Sequence, residues 1–204
     1  MVGDKAGILI SIGIHTTPAD VAPSLAPPPS PVKRSLAAAP SSRQEEPGGK
    51  GRSMRVYLVV IDDSAEAQIA LRFAAQRAVK TGGGVEILAL IEPTELVPWG
   101  GVQAAIEDEA YDHAEELVAA AAGTLLAESG LSPTITVRQG EGPRVIREMI
   151  AANPDIAALV LGTAASGAPG PLVAHFAGTD AGALPVPIML VPGSLDQAGI
   201  DRLS

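Results

Sequence analysis

From residue 55 onward, the chain alternates between short apolar runs and segments with helical spacing of apolar residues. Most of the runs are nearly continuous, which is typical of parallel strands covered on both faces. The pattern predicts five strands: Arg55–Ile61, Val85–Ile91, Thr134–Arg138, Ile156–Leu161 and Val186–Val191.

The segments between these runs carry helix signals. Ser64 is placed to cap a helix that ends near Lys80, and a long Ala-rich helix covers about Val102–Glu128. Pro143 stands where the first residue of a third helix tolerates proline, and a short helix precedes the last strand. Right-handed crossovers then build an α/β fold, a single open five-stranded parallel sheet with helices on both faces.

The first 53 residues differ in composition from the rest. They contain eight of the 18 prolines and no Phe, Tyr or Trp, so they cannot bury enough apolar surface to offset the entropy of ordering. We predict a disordered extension over residues 1–53 and one folded domain over residues 54–204. One alternative is that translation starts at Met54 and the extension is an artefact of the gene model. The apolar stretch after Lys5 is a weak targeting signal.

Composition and charge disfavour several classes of function. The absence of cysteine excludes disulfide scaffolds, thiol catalysis and Cys-ligated zinc. A net charge of −9 with 2% aromatic residues disfavours nucleic-acid binding. No apolar run approaches the roughly 20 residues of a membrane-spanning helix. We therefore expect a cytoplasmic protein with neither nucleic-acid nor membrane partners.

Two carboxylates, Asp62 and Asp63, follow the first predicted strand, where open parallel sheets bind ligands. Such a pair resembles the magnesium pocket of response-regulator receiver domains. That family also needs an Asp at the end of the third strand and a Lys after the fifth. Here the third strand ends in Arg138-Gln139-Gly140, and no Lys follows Lys80, so a receiver-like domain is a distant alternative.

Four motifs taken in order resemble the universal stress protein family over residues 54–200. They are Ile61-Asp62-Asp63-Ser64, Gly140-Glu141-Gly142-Pro143, Leu161-Gly162-Thr163 and Val186 to Pro192. The resemblance implies a Rossmann-like sheet of the adenine-nucleotide alpha-hydrolase type and a regulatory or stress-tolerance module.

Resemblance to the nucleotide-binding members of that family implies that Asp62 contacts adenine or ribose and that the backbone at Ile91 frames the adenine. Gly162 would be the first glycine of a phosphate-binding loop. The implied ligand is ATP or another adenine nucleotide with Mg²⁺. The implied binding residues are Asp62, Ser64, Ile91, Gly162, Thr163, Gly167 and Gly170.

The phosphate loop departs from the family pattern of Gly, two residues, Gly, nine residues, and Gly followed by Ser or Thr. Ala165 and the pair His175-Phe176 occupy the second and third glycine positions, and Gly178-Thr179 comes three residues late. The glycines at 167 and 170 are available for a backbone anion nest, whereas the prolines at 169 and 171 lack amide donors. A nucleotide-binding switch and a nucleotide-independent interaction module therefore both stay open.

Other chemistry is sparse along the chain. His113 lies in the acidic helix and His175 in the altered loop, and neither has a nucleophile at recognisable spacing. Trp99 is interpreted as a lid over a hydrophobic crevice. We predict that the protein is not an enzyme, with slow incidental nucleotide hydrolysis left open. The apolar last strand, Pro187 to Val191, is expected to form a homodimer; alternatively it fills the core of a monomer.

Overall fold

The computed structural model describes residues 9–10, 54–93, 100–178 and 180–204. The predictions for the rest of the extension and for Trp99 lie outside these residues. The elements are β1 (Leu9–Ile10), β2 (Val56–Ile61), α1 (Ala65–Thr81), β3 (Gly84–Ile91), α2 (Gly100–Ser129), β4 (Thr134–Gln139), α3 (Gly142–Ala152), β5 (Ile156–Thr163), α4 (Pro171–Ala177), β6 (Ile188–Pro192) and α5 (Gln197–Leu203).

The sheet has the strand order β1-β4-β3-β2-β5-β6. Strands β2 to β6 run parallel, which confirms the predicted open five-stranded sheet. The two-residue β1 adds an antiparallel edge, with Leu9 opposite Thr136, and this pairing was not predicted. From β2 the chain builds toward β4 on one side and then toward β6 on the other. The strand order thus reverses at β2, where such sheets bind ligands.

Side-chain alternation along the strands divides the core into two layers. One layer packs under α1 and α2 and includes Val59, Ile87 and Val160. The other packs under α3 and α4 and includes Leu58 and Phe176, both without exposed surface. Neighbouring residues of a strand point into different layers. The residue at which a strand ends therefore determines which side chains lie at the carboxyl edge of each layer.

The element boundaries differ from the predictions in a few places. Helix α2 begins at Gly100, two residues early, and β6 begins at Ile188, two residues late. Helix α5 was not predicted, although Asp196 caps it by accepting a hydrogen bond from the Gly199 amide. Across the described ranges, no helix is long and apolar enough to cross a membrane.

Candidate functional site

A cleft of about 600 Å³ opens at the carboxyl ends of β2, β3 and β5, within the usual size range of small-molecule sites. Its lining is mainly aliphatic, and polar residues and glycines make up the rest. The aliphatic part comprises Val60, Ile61, Ala67, Leu90, Pro93, Pro143, Leu161, Ala164, Pro171, Leu172 and Val173. The remainder comprises Asp62, Ser64, Glu66, Glu92, Gly140, Glu141, Gly142, Gly162, Gly170 and His175.

The turn between β2 and α1 places Asp62 and Ser64 at this cleft. Oδ1 of Asp62 accepts a hydrogen bond from the Ser64 amide at 2.9 Å. The Ser64 hydroxyl in turn accepts from the Ala67 amide at 3.2 Å and caps α1, as predicted. The turn therefore fixes Asp62 through one oxygen and leaves Oδ2 for a ligand, while the Ser64 hydroxyl is used by the fold.

Asp63 points away from the cleft toward the long helix α2. Its Oδ2 lies 2.9 Å from Nε2 of His113, and both side chains are exposed. The hydrogen bond to Asp63, reinforced by the negative charges of Asp63 and Glu116, raises the pKa of His113 above its ordinary value. The two adjacent carboxylates thus have separate roles, since Asp62 faces the cleft and Asp63 ties the turn to α2.

Gly162 lies where β5 passes beneath the first turn of α1. A Cβ at this position would lie 2.4 Å from the carbonyl oxygen of Glu66. At Gly193, just after β6, a Cβ would lie 2.8 Å from the carbonyl oxygen of Thr163 and 3.0 Å from Cβ of Glu66. These two glycines let α1 approach the sheet ends closely. Gly162 therefore has a packing role that accounts for it without any phosphate.

Ile91 ends β3 with its side chain buried in the layer under α1 and α2, and it is not among the described residues that line the cleft. Its carbonyl accepts a hydrogen bond from the Gly140 amide at 3.0 Å. The neighbours Leu90 and Glu92, rather than Ile91, line the cleft. The end of β3 therefore borders the cleft through residues 90 and 92. The role of the Ile91 backbone in framing a base stays a prediction.

The loop from Thr163 to Gly170 only partly follows the predicted phosphate site. Gly170 lines the cleft and precedes α4, whereas Thr163 and Gly167 are not among the described residues that line it. The Thr163 carbonyl accepts from the Gly193 amide at 2.7 Å, which joins the ends of β5 and β6. Gly167 has φ +92° and is exposed, so it serves the turn.

His175 reaches the cleft from α4, and its imidazole contacts Asp180, which also pairs with Arg147. Its Nε2 lies 3.0 Å from Oδ2 of Asp180, an ion-pair contact rather than a well-directed hydrogen bond. Arg147 of α3 forms an ion pair with the same carboxylate oxygen. The His175 imidazole and, beyond it, the Arg147 guanidinium lower the pKa of Asp180, against the opposing effect of burial.

Apart from Asp62, the acidic residues of the cleft were not assigned to the site by sequence reasoning. Glu66, Glu92 and Glu141 join Asp62 in the lining. Their signal was available, because each lies within a few residues of a predicted strand end. Throughout the described segments, no group of three or more His, Cys, Asp or Glu side chains could hold a metal ion.

The sequence model of the universal stress protein family matches residues 54–192. The chain belongs to this family. Its matched part contains all five parallel strands and the cleft at their carboxyl ends. No curated protein sequence matches the chain.

Solved universal stress proteins share the fold. The UspA protein from Lactobacillus plantarum has a TM-score of 0.56 and 19% identity, over 67% of this chain and 97% of that one. A family member from Burkholderia pseudomallei has a TM-score of 0.54 and 15% identity, over 70% and 98%. One from Archaeoglobus fulgidus has a TM-score of 0.50 and 20% identity, over 68% and 93%.

Proposed function

We propose that this universal stress protein is a regulatory module whose cleft binds the adenosine portion of an adenine nucleotide. The observation that carries the proposal is the cleft itself, which is nucleotide-sized and lies where the strand order reverses. Asp62, Ser64, Gly162 and Gly170 converge on it, four of the seven residues that family resemblance implies.

The turn at Asp62 supports this proposal through its geometry. With Oδ1 held by the Ser64 amide, Oδ2 is available to accept from a ribose hydroxyl or an adenine amino group. Leu90, Leu161 and Leu172 provide apolar surface against which a base can pack. Any Mg²⁺ would arrive with the nucleotide's phosphates. The module regulates by binding and does not catalyse a reaction.

Calorimetric titration of AMP into the full chain tests the proposal. We expect saturable binding that Asp62→Ala weakens about tenfold or more, because a hydrogen bond to a charged acceptor is lost. Asp63→Ala is the matched control, since Asp63 pairs with His113 outside the cleft, and should change the affinity less than about twofold. Absence of binding of both AMP and adenosine at millimolar concentration, with the protein folded, would refute the proposal.

A second candidate is a nucleotide-independent homodimer formed through β6. In the described sheet β6 is the terminal strand and pairs with β5 alone. Leu190 on this strand is 42% exposed, Pro187 precedes the strand and Pro192 is its last residue. An apolar edge strand of this kind is suited to pairing with a second copy.

Sedimentation velocity separates this candidate from a monomer. We expect a dimer that Leu190→Lys dissociates, because a charge would enter the interface. Leu126→Lys is the matched control, since Leu126 is equally exposed, at 42%, but lies on α2. A wild-type monomer, or a dimer that tolerates Leu190→Lys, would contradict the β6 interface.

A further inference from the structure

The cleft has an acidic lining, whereas sites that bind phosphate usually provide positive charge or backbone amide donors. Four carboxylates line it, from Asp62, Glu66, Glu92 and Glu141, and the described lining residues include no Lys or Arg. Among these described residues, His175 alone has a side chain that can become cationic.

The nearby cations on β4, α3 and α4 lie in ion pairs with carboxylates that do not line the cleft. Asp180 pairs with both His175 and Arg147, and its side chain is only 14% exposed. Arg144, in the first turn of α3, and Arg138, at the end of β4, share Glu148, with N–O distances of 3.5 and 3.7 Å. Three guanidiniums therefore face two carboxylates in these pairs, and the one positive charge that remains is smaller than the four negative charges of the cleft lining.

Backbone donors for phosphate are also depleted in the loop before α4. Pro169 and Pro171 have no amide hydrogen. Gly162 packs directly against the carbonyl of Glu66 in the first turn of α1. The loop therefore offers little to compensate for the acidic lining.

We propose that the cleft selects an uncharged nucleoside, adenosine, over AMP and ATP. This inference rests on the proposed function and specifies the ligand class of the same site. Carboxylates only accept hydrogen bonds, and so do ionised phosphates, whereas ribose hydroxyls and the adenine amino group donate. The lining is therefore complementary to the nucleoside and repels each added phosphate charge.

The test is calorimetric titration of adenosine, AMP and ATP into the full chain without divalent cations. The full chain is used so that the six Lys and Arg residues of residues 1–53 are included. We expect the affinity to fall from adenosine to AMP to ATP. Raising NaCl from about 0.05 M to about 0.5 M should strengthen ATP binding by screening repulsion, and leave adenosine binding nearly unchanged.

Charge-neutralising variants locate the effect in the cleft. Glu92→Gln and Glu141→Gln remove exposed lining charges, and each should raise the ratio of ATP affinity to adenosine affinity about threefold. Asp201→Asn is the matched control. Asp201 lies beside Lys80, at the far end of α1 and about 20 Å from Glu66, so this change should affect neither ligand.

The outcomes distinguish failure of the proposed function from failure of nucleoside selection alone. If no adenine compound binds, the proposed function fails together with this inference. If all three bind but ATP binds tightest, or ATP binding weakens with added salt, the proposed function survives and nucleoside selection is overturned. Selection is also overturned if the glutamine variants leave the ATP-to-adenosine ratio unchanged.

Discussion

The two loops that border the cleft are built differently. The β2–α1 turn is closed by its own side chains, because Asp62 accepts from the Ser64 amide and Ser64 from the Ala67 amide. The β5–α4 loop is longer, and its glycines at 167 and 170 have open space around them. A turn whose conformation is fixed by local hydrogen bonds can present one oxygen precisely. The glycines of the open loop are not spaced as in the family's phosphate-binding motif.

Two glycines extend this comparison, because one is required by close packing and the other is not. Gly162 meets backbone at 2.4 Å, whereas Gly170 has nothing within 4 Å and a φ of −58° that any residue adopts. Family resemblance alone assigned both to ligand binding. The structure gives the first a packing role and leaves the second free.

The largest effect is expected from Gly162→Ala. Its methyl group would collide with the Glu66 carbonyl and displace α1, which should lower the free energy of unfolding by about 3 kcal/mol. Gly170→Ala is the control and should change it by less than about 0.5 kcal/mol, or stabilise slightly. Urea unfolding measures both. Equal effects at the two positions would contradict the packing role of Gly162.

A smaller effect is expected from Ser64→Ala. Loss of the cap on α1 should lower the free energy of unfolding by about 1 kcal/mol, and Ser64→Asp should retain most of the stability. Ser166→Ala, in the exposed part of the β5–α4 loop, is the matched control and should change little. If Ser64→Ala leaves the free energy of unfolding unchanged, the side-chain hydrogen bond of Ser64 does not stabilise the β2–α1 turn, which would contradict the comparison of the two loops.

The smallest effect concerns the neighbouring carboxylate, Asp63. Asp63→Asn should move the pKa of His113 down toward its ordinary value of 6.5, because the partner that raises it is removed. Asp62→Asn should leave the His113 pKa in place, since Asp62 bonds to the Ser64 amide instead. NMR titration of the imidazole protons reports both values.

The sign of the stability effect follows from the raised pKa. Because His113 binds its proton more tightly in the folded state, the pair stabilises the protein fully below pH 6.5. That contribution disappears as the pH rises through the folded-state pKa. The stability difference between wild type and Asp63→Asn should therefore be present at acid pH and absent at alkaline pH. A difference that persists unchanged at alkaline pH would mean that Asp63 acts through something other than this pair.

The sheet was predictable from sequence because its signals are local. Apolar runs such as Val85–Ile91 are long, and Ser64 and Pro143 mark helix starts through their own chemistry. The site was less predictable because it depends on long-range geometry. That Leu90 rather than Ile91 faces the cleft depends on strand register, and the role of Gly162 depends on the first turn of α1. The pairing of Asp63 with His113 joins residues 50 positions apart.

The most direct test of the central claim is an amide chemical-shift map of the full chain during titration with adenosine. The account predicts shifts confined to the cleft, at residues 62–67, 90–93, 140–143 and 162–173, with none at α5 or along β6. Absence of shifts at millimolar adenosine, or shifts centred on β6 and α5, would contradict a nucleoside site at the carboxyl ends of the strands.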